Sequence, residues 1–72
     1  MNRYLVVVEK AKTNFAAYLP DVPGCVATGK TREQVLVRMR SAFAMHVAGL
    51  KEDGIRLPEP VSSADYVSTS AT

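Results

Sequence analysis

The sequence predicts an α+β domain in which three short strands precede one long helix. Three observations carry that expectation. Residues 3–30 fall into apolar blocks separated by a short polar break and a proline-rich one. Residues 32–53 then repeat their apolar side chains with helical spacing. The length, 72 residues, suffices for one small domain and no more. A domain of this size hides only about 60% of the surface its unfolded chain exposes, so its core is thin and self-association into a dimer or tetramer is expected.

The first strand is expected over residues 3–9, "RYLVVVE", with Tyr4, Val6 and Val8 on one face and Leu5 and Val7 on the other. Because both faces are apolar, this strand is expected at the centre of its sheet. The polar residues 10–14, "KAKTN", suit a hairpin connection to a second strand, "FAAYL", in which Phe15, Ala17 and Leu19 alternate with Ala16 and Tyr18. Pro20, Pro23 and Gly24 then fix a turn, and "CVATGK" reads as a third strand.

The helix is expected from Arg32 to Asp53, with Thr31 as its N-cap, Gln34 completing a capping box, and Gly54 closing its C-terminus. Val35, Leu36, Met39, Ala42, Phe43, His46, Val47 and Leu50 form one stripe suited to covering a sheet. Val37, Ala44, Met45 and Ala48 lie on the other side, more apolar than a solvated face requires. Pro58 and Pro60 keep the helix from resuming. The remainder, residues 61–72, reads as a partly flexible tail in which "ADYVST" is suited to a short fourth strand; laid parallel to the first strand, it would make the helix a right-handed crossover. No boundary divides the chain, so residues 1–72 are read as a single domain.

Gly24 to Thr31, "GCVATGKT", fits the pattern of a phosphate-cradling P-loop. The context argues against it. A proline turn replaces the strand that should precede the first glycine, the intervening residues are strand formers, and Thr31 is needed as a helix cap. Nucleotide binding is therefore not expected.

The balance of nine Lys and Arg against seven Asp and Glu, net +2, points to neither nucleic acid nor membrane. The apolar run near the N-terminus is too short for a signal core or a membrane span, and the single cysteine, Cys25, excludes an internal disulfide, so a cytoplasmic location is expected. Cys25 and His46 read as core residues, because neither has a visible catalytic or metal partner. Glu9 and Asp65 are the only carboxylates expected on strands, too few for a two-metal nuclease. Lys30, Arg32, Arg38 and Arg40 could favour RNA or DNA, but Arg38 and Arg40 point roughly 200° apart and no aromatic stacking platform accompanies them.

The order of strand, strand, "LPDVPGC", strand, "GKTREQV", long helix and "GLKEDGIRLPEP" resembles the HicB family of antitoxins from toxin–antitoxin modules. The resemblance runs from Tyr4 to Pro60. It implies a βββαβ, partial ribonuclease H-like fold: a three-stranded antiparallel sheet with a short fourth strand and one helix on one face. It also implies a non-enzymatic, protein-binding role that neutralises a HicA-like toxin, an mRNA-cleaving ribonuclease, with no cofactor or metal. Longer members carry a C-terminal helix-turn-helix or ribbon-helix-helix domain; this sequence leaves no room for one, so direct DNA binding is not expected. The loop "KAKTN" lacks the acidic, glycine-rich character associated with the family, so contacts made there are not carried over.

Covering a basic RNA-cleaving surface calls for shape and acidic groups. The expected partner-binding residues are Tyr18, Asp21, Val22, Pro23 and Gly24, around the rigid "PDVPG" turn. A structural role for the same residues, with Asp21 capping and Tyr18 packing, is the competing reading. A small RNA- or DNA-binding module and an oligomeric scaffold without a toxin are the alternative functions.

Overall fold

The computed structural model describes residues 2–70. Three strands, β1 (Val7–Lys10), β2 (Phe15–Tyr18) and β3 (Val26–Gly29), are followed by the helix α1 (Arg32–Glu52). The strands form one antiparallel sheet in the order β1-β2-β3. This is the α+β arrangement that the sequence predicts: β1 begins four residues later than expected and runs one residue further, to Lys10, β2 ends one residue earlier, and β3 is one residue shorter at each end.

Two expectations are corrected. The first strand is an edge strand, and β2 lies at the centre. No described residue after Gly54 enters a strand, so the short fourth strand does not form. The two corrections share one cause: the central position of β1 depended on a neighbour along its outer edge, and residues 61–70 do not pair with it. Its two apolar faces are real nonetheless, since residues 4–8 are all half-buried.

Pairing registers sort the side chains into two faces. Val8, Ala17 and Ala27 lie in one cross-strand row beneath the helix. There Ala17, Leu19, Val22 and Cys25 meet Val35 and Met39 of α1 to form the buried core. Each large side chain buried this completely contributes roughly 1.5–3 kcal/mol. Phe43, Leu36 and Ala42 extend the same helical stripe, while Val37 and Met45 on its far side are exposed, as the periodicity predicts.

Local chemistry sets each helix end. The Thr31 hydroxyl accepts from the Gln34 N–H at 3.0 Å, and the Gln34 side chain accepts in turn from the Lys30 N–H at 2.7 Å, one residue earlier than a capping box requires. At the other end Gly54 takes φ +68°, the Gly54 N–H bonds the Lys51 carbonyl, and the Ile55 N–H bonds that of Leu50, the paired closure of a Schellman motif. Lys51 in the last turn and Glu33 in the first complement the helix dipole.

Every part of the apparent P-loop has a structural role. Gly24 turns the chain at φ +84°, residues 26–29 are β3, and Lys30 and Thr31 cap the helix. Gly29 is buried because β3 passes very close to α1: a Cβ there would stand 2.8 Å from the Val35 nitrogen and 3.0 Å from its Cα. Backbone cannot yield to it without moving the helix from the sheet. Gly29→Ala is therefore expected to lower stability by about 1–3 kcal/mol in urea unfolding, the usual cost of overpacking; an unchanged midpoint would contradict the close approach.

Candidate functional site

The helix covers one face of the sheet and leaves the other open. On the open face the registers place Val7, Tyr18 and Val26 side by side, with Glu9, Ala16 and Thr28 in the next row. Tyr18 is 40% exposed and Val26 is 65% exposed. An apolar row with a polar, partly acidic row beside it is the composition of a protein-binding surface: aromatic area for desolvation and rim charge for orientation.

Beside this face stands a closed loop, residues 19–25. The Leu19 N–H bonds the Cys25 carbonyl at 3.3 Å, and two nested turns fill the interval, Val22 N–H to Leu19 carbonyl at 3.1 Å and Cys25 N–H to Val22 carbonyl at 3.3 Å. In the second turn Pro23 and Gly24 occupy the central positions, and the positive φ of Gly24 identifies the type II geometry. Proline and glycine thus give the loop a fixed outer tip, anchored from beneath by Val22, which is 1% exposed, and by Leu19 and Cys25.

The five residues expected to bind a partner separate into three groups. Tyr18 faces outward on the sheet, and Pro23 and Gly24 are exposed at the loop tip. Val22 is in the core and offers no surface. Asp21 is half-buried, and its carboxylate is engaged within the chain: Oδ2 accepts from the Val61 and Ser62 N–H groups at 3.1 and 2.9 Å, and Oδ1 accepts from the Ser62 hydroxyl at 2.7 Å. Val7 and Val26 join Tyr18 through strand register, which sequence reading did not provide.

Asp21 belongs to a pair of ties that hold the segment after the helix. The second is Tyr4, whose hydroxyl donates to the Pro58 carbonyl at 2.7 Å while its ring lies 5.1 Å from that of Phe43. Burial, and then the negative charges of Glu59 and Asp21, push the Tyr4 hydroxyl above its ordinary pKa, which keeps it a donor. The Asp21 carboxyl is held below the ordinary aspartate value, first by the Ser62 N–H, then by the Ser62 hydroxyl, with the Val61 N–H adding to the shift and partial burial opposing it.

The remaining polar groups have structural surroundings. The Arg38 guanidinium donates to the Thr28 carbonyl at 3.1 Å and ties α1 to β3. His46 is half-buried in the inner stripe. The Cys25 thiol is buried 3.7 Å from the Met39 sulfur, and burial raises its pKa. Among the described residues no group of three or more His, Cys, Asp or Glu side chains could hold a metal ion, and no helix is long and apolar enough to cross a membrane.

Two measurements follow from these geometries. A carboxyl depressed in the folded state stabilises the tie above its unfolded pKa and loses it as pH falls through the folded value. The Ser62 amide resonance should therefore titrate with a midpoint below 3.8, the ordinary value, and Asp21→Asn should abolish that titration; a midpoint at or above 3.8 would contradict the tie. The raised pKa and burial of Cys25 also predict slow reaction with a thiol reagent at neutral pH in the native protein and rapid reaction in denaturant.

Comparison with known proteins gives this architecture a family. The sequence matches the family model described as "HicB_like antitoxin of bacterial toxin-antitoxin system" over residues 4–71. An uncharacterized 14.9 kDa protein from the rep-hol intergenic region of Haemophilus phage HP1 is 30% identical over 64 residues, which are 89% of this chain and 48% of the phage protein. The chain thus spans about half the length of that relative. A UPF0150 protein of Thermoplasma acidophilum is 26% identical, with 78% of this chain and 83% of the relative covered. Among solved structures, a chain of the HicA3 and HicB3 toxin-antitoxin complex superposes with a TM-score of 0.70 at 32% identity, over 83% of this chain and 70% of that one. A family match reaching from the first apolar block through the post-helix segment places this chain in the HicB-like antitoxin family.

Proposed function

We propose that this chain is a cytoplasmic, non-enzymatic antitoxin that binds a HicA-like toxin and blocks its cleavage of mRNA. Membership of the family over residues 4–71 carries the reading, and the likeness to a chain of the HicA3 and HicB3 complex supports the class of partner. Such a protein must cover a surface that recognises RNA, which is basic because it pairs with phosphates. A fixed loop tip and an open sheet face meet that requirement. Tyr18 and Val26 supply apolar area, Pro23 and Gly24 supply a shape that costs little entropy to present, and Glu9 and Asp21 supply negative charge beside them. Val22 acts from beneath by holding the tip in place.

Co-expression with a HicA-like ribonuclease encoded beside this chain is expected to yield a stoichiometric complex in which mRNA cleavage is suppressed. Val26→Asp and Tyr18→Ala, both on exposed positions, should leave the fold intact and weaken the complex at least tenfold, or about 1.4 kcal/mol. Absence of a complex with an active toxin of this kind would overturn the assignment. Wild-type affinity in both variants would move the contact away from the open face.

A further inference from the structure

A crevice on the helix side of the sheet holds chemistry that neither the core nor the open face uses. It runs between the segment before β1 and the middle of α1 and encloses about 370 Å³, within the range of small-molecule sites. Its base is apolar and fixed, because Leu19 and Met39 belong to the buried core at 4% and 2% exposed. The half-buried Tyr4, Val6 and Phe43 form its walls. The Tyr4 and Phe43 rings stand 5.1 Å apart and tilted by 52°. The Tyr4 hydroxyl proton is committed to the Pro58 carbonyl, so this wall presents ring surface.

Charge of one sign accompanies the apolar surface. Arg3 and Arg40, both exposed, are the charged residues of the crevice, and no carboxylate lines it. Among the described residues neither guanidinium has an ion-pair or hydrogen-bond partner. Helical spacing sets Arg40 three residues before Phe43 and next to Met39, so one stretch of α1 delivers cation and apolar surface together. A second concavity, bounded by Thr13, Lys30, Gln34 and Arg38, is also basic. There, however, no apolar side chain contributes, and the Gln34 side chain and Arg38 guanidinium are already engaged by backbone groups. Uncommitted guanidinium forks above an apolar base are complementary to an anion that carries a hydrocarbon body: the fork matches a carboxylate in two bonds, and the body leaves water.

We propose that this crevice binds a small anionic amphiphile, a carboxylate on a hydrocarbon or aromatic body. At about 30 Å³ per water-sized group the volume holds roughly ten to twelve non-hydrogen atoms. The carboxylate pairs with Arg3 and Arg40, and the body lies over Leu19 and Met39 beside the two rings. Leu19 opens the closed loop of residues 19–25, and Tyr4 ties the segment after the helix, so the occupant touches a residue of each. Tyr18, Val26 and the loop tip stay uncovered. The site is therefore separate from the antitoxin reading, and its failure would leave that reading as it stands.

Octanoate, titrated into the isotope-labelled full chain and followed by nuclear magnetic resonance, tests the site. Saturable shifts are expected at Val6, Leu19, Met39 and Phe43, with a dissociation constant on the order of 1 mM for a ligand this small in an open crevice. Octanamide, which keeps the body and lacks the charge, and acetate, which keeps the charge and lacks the body, should each bind weaker by about fivefold or more. Arg3→Gln combined with Arg40→Gln should weaken octanoate by about the same factor and leave octanamide unchanged. Both substitutions fall on exposed positions, so the spectrum away from the crevice should not move. Absence of saturation, shifts centred on Val7, Tyr18 and Val26 instead, equal affinity for octanoate and either control, or unchanged octanoate affinity in the double variant would each overturn the proposal.

Discussion

The structure depends on the close approach of one helix to one face of a three-stranded sheet. Val35 and Met39 can reach Ala17, Leu19, Val22 and Cys25 only because β3 carries Gly29 where its backbone passes the start of α1. Among the described residues that single contact plane supplies the fully buried hydrophobic core, six residues. With so little apolar material inside, the remaining order comes from backbone devices: the Thr31 cap, the Schellman closure at Gly54, and the nested turns between Leu19 and Cys25. Each removes conformational freedom without demanding more core, which is how a chain this short remains folded.

A one-sided core also determines what is left for recognition. The helix occupies one sheet face, so the row of Val7, Tyr18 and Val26 remains outward by necessity. The loop before β3 is rigid for a related reason, since Val22 and Cys25 are plugged into the core and the Pro23–Gly24 tip cannot move independently of them. The open face and the core are thus opposite sides of the same sheet, and a rigid surface loses little entropy if it meets a partner.

The elements that were legible in the sequence are those governed by local chemistry. The helix ends followed from Thr31, Gln34 and Gly54, and its buried stripe followed from spacing; the strands followed from alternation between the breaks at "KAKTN" and "PDVPG". Strand order was not legible, because two apolar faces on β1 describe its side chains and say nothing of which backbone edge is paired. The candidate site was legible in part for the same reason. Tyr18 and the loop tip could be picked from residue type, whereas Val26 and Val7 depend on antiparallel register, a relation between segments. For Asp21 the residue type suggested either an outward contact or a local cap, and neither reading could name its actual partners, since its carboxylate is engaged by residues 40 and 41 positions further along the chain.

That long-range tie gives the domain a thermodynamic property beyond its geometry. The same carboxylate belongs to the loop before β3 and holds the chain at residues 61 and 62, so the two regions share one acceptor. Anything that draws the Asp21 carboxylate away must release Val61 and Ser62, and anything that secures those residues strengthens Asp21's commitment to them. The placement of the loop carboxylate and that of the segment after the helix are therefore linked, with reciprocal free energies.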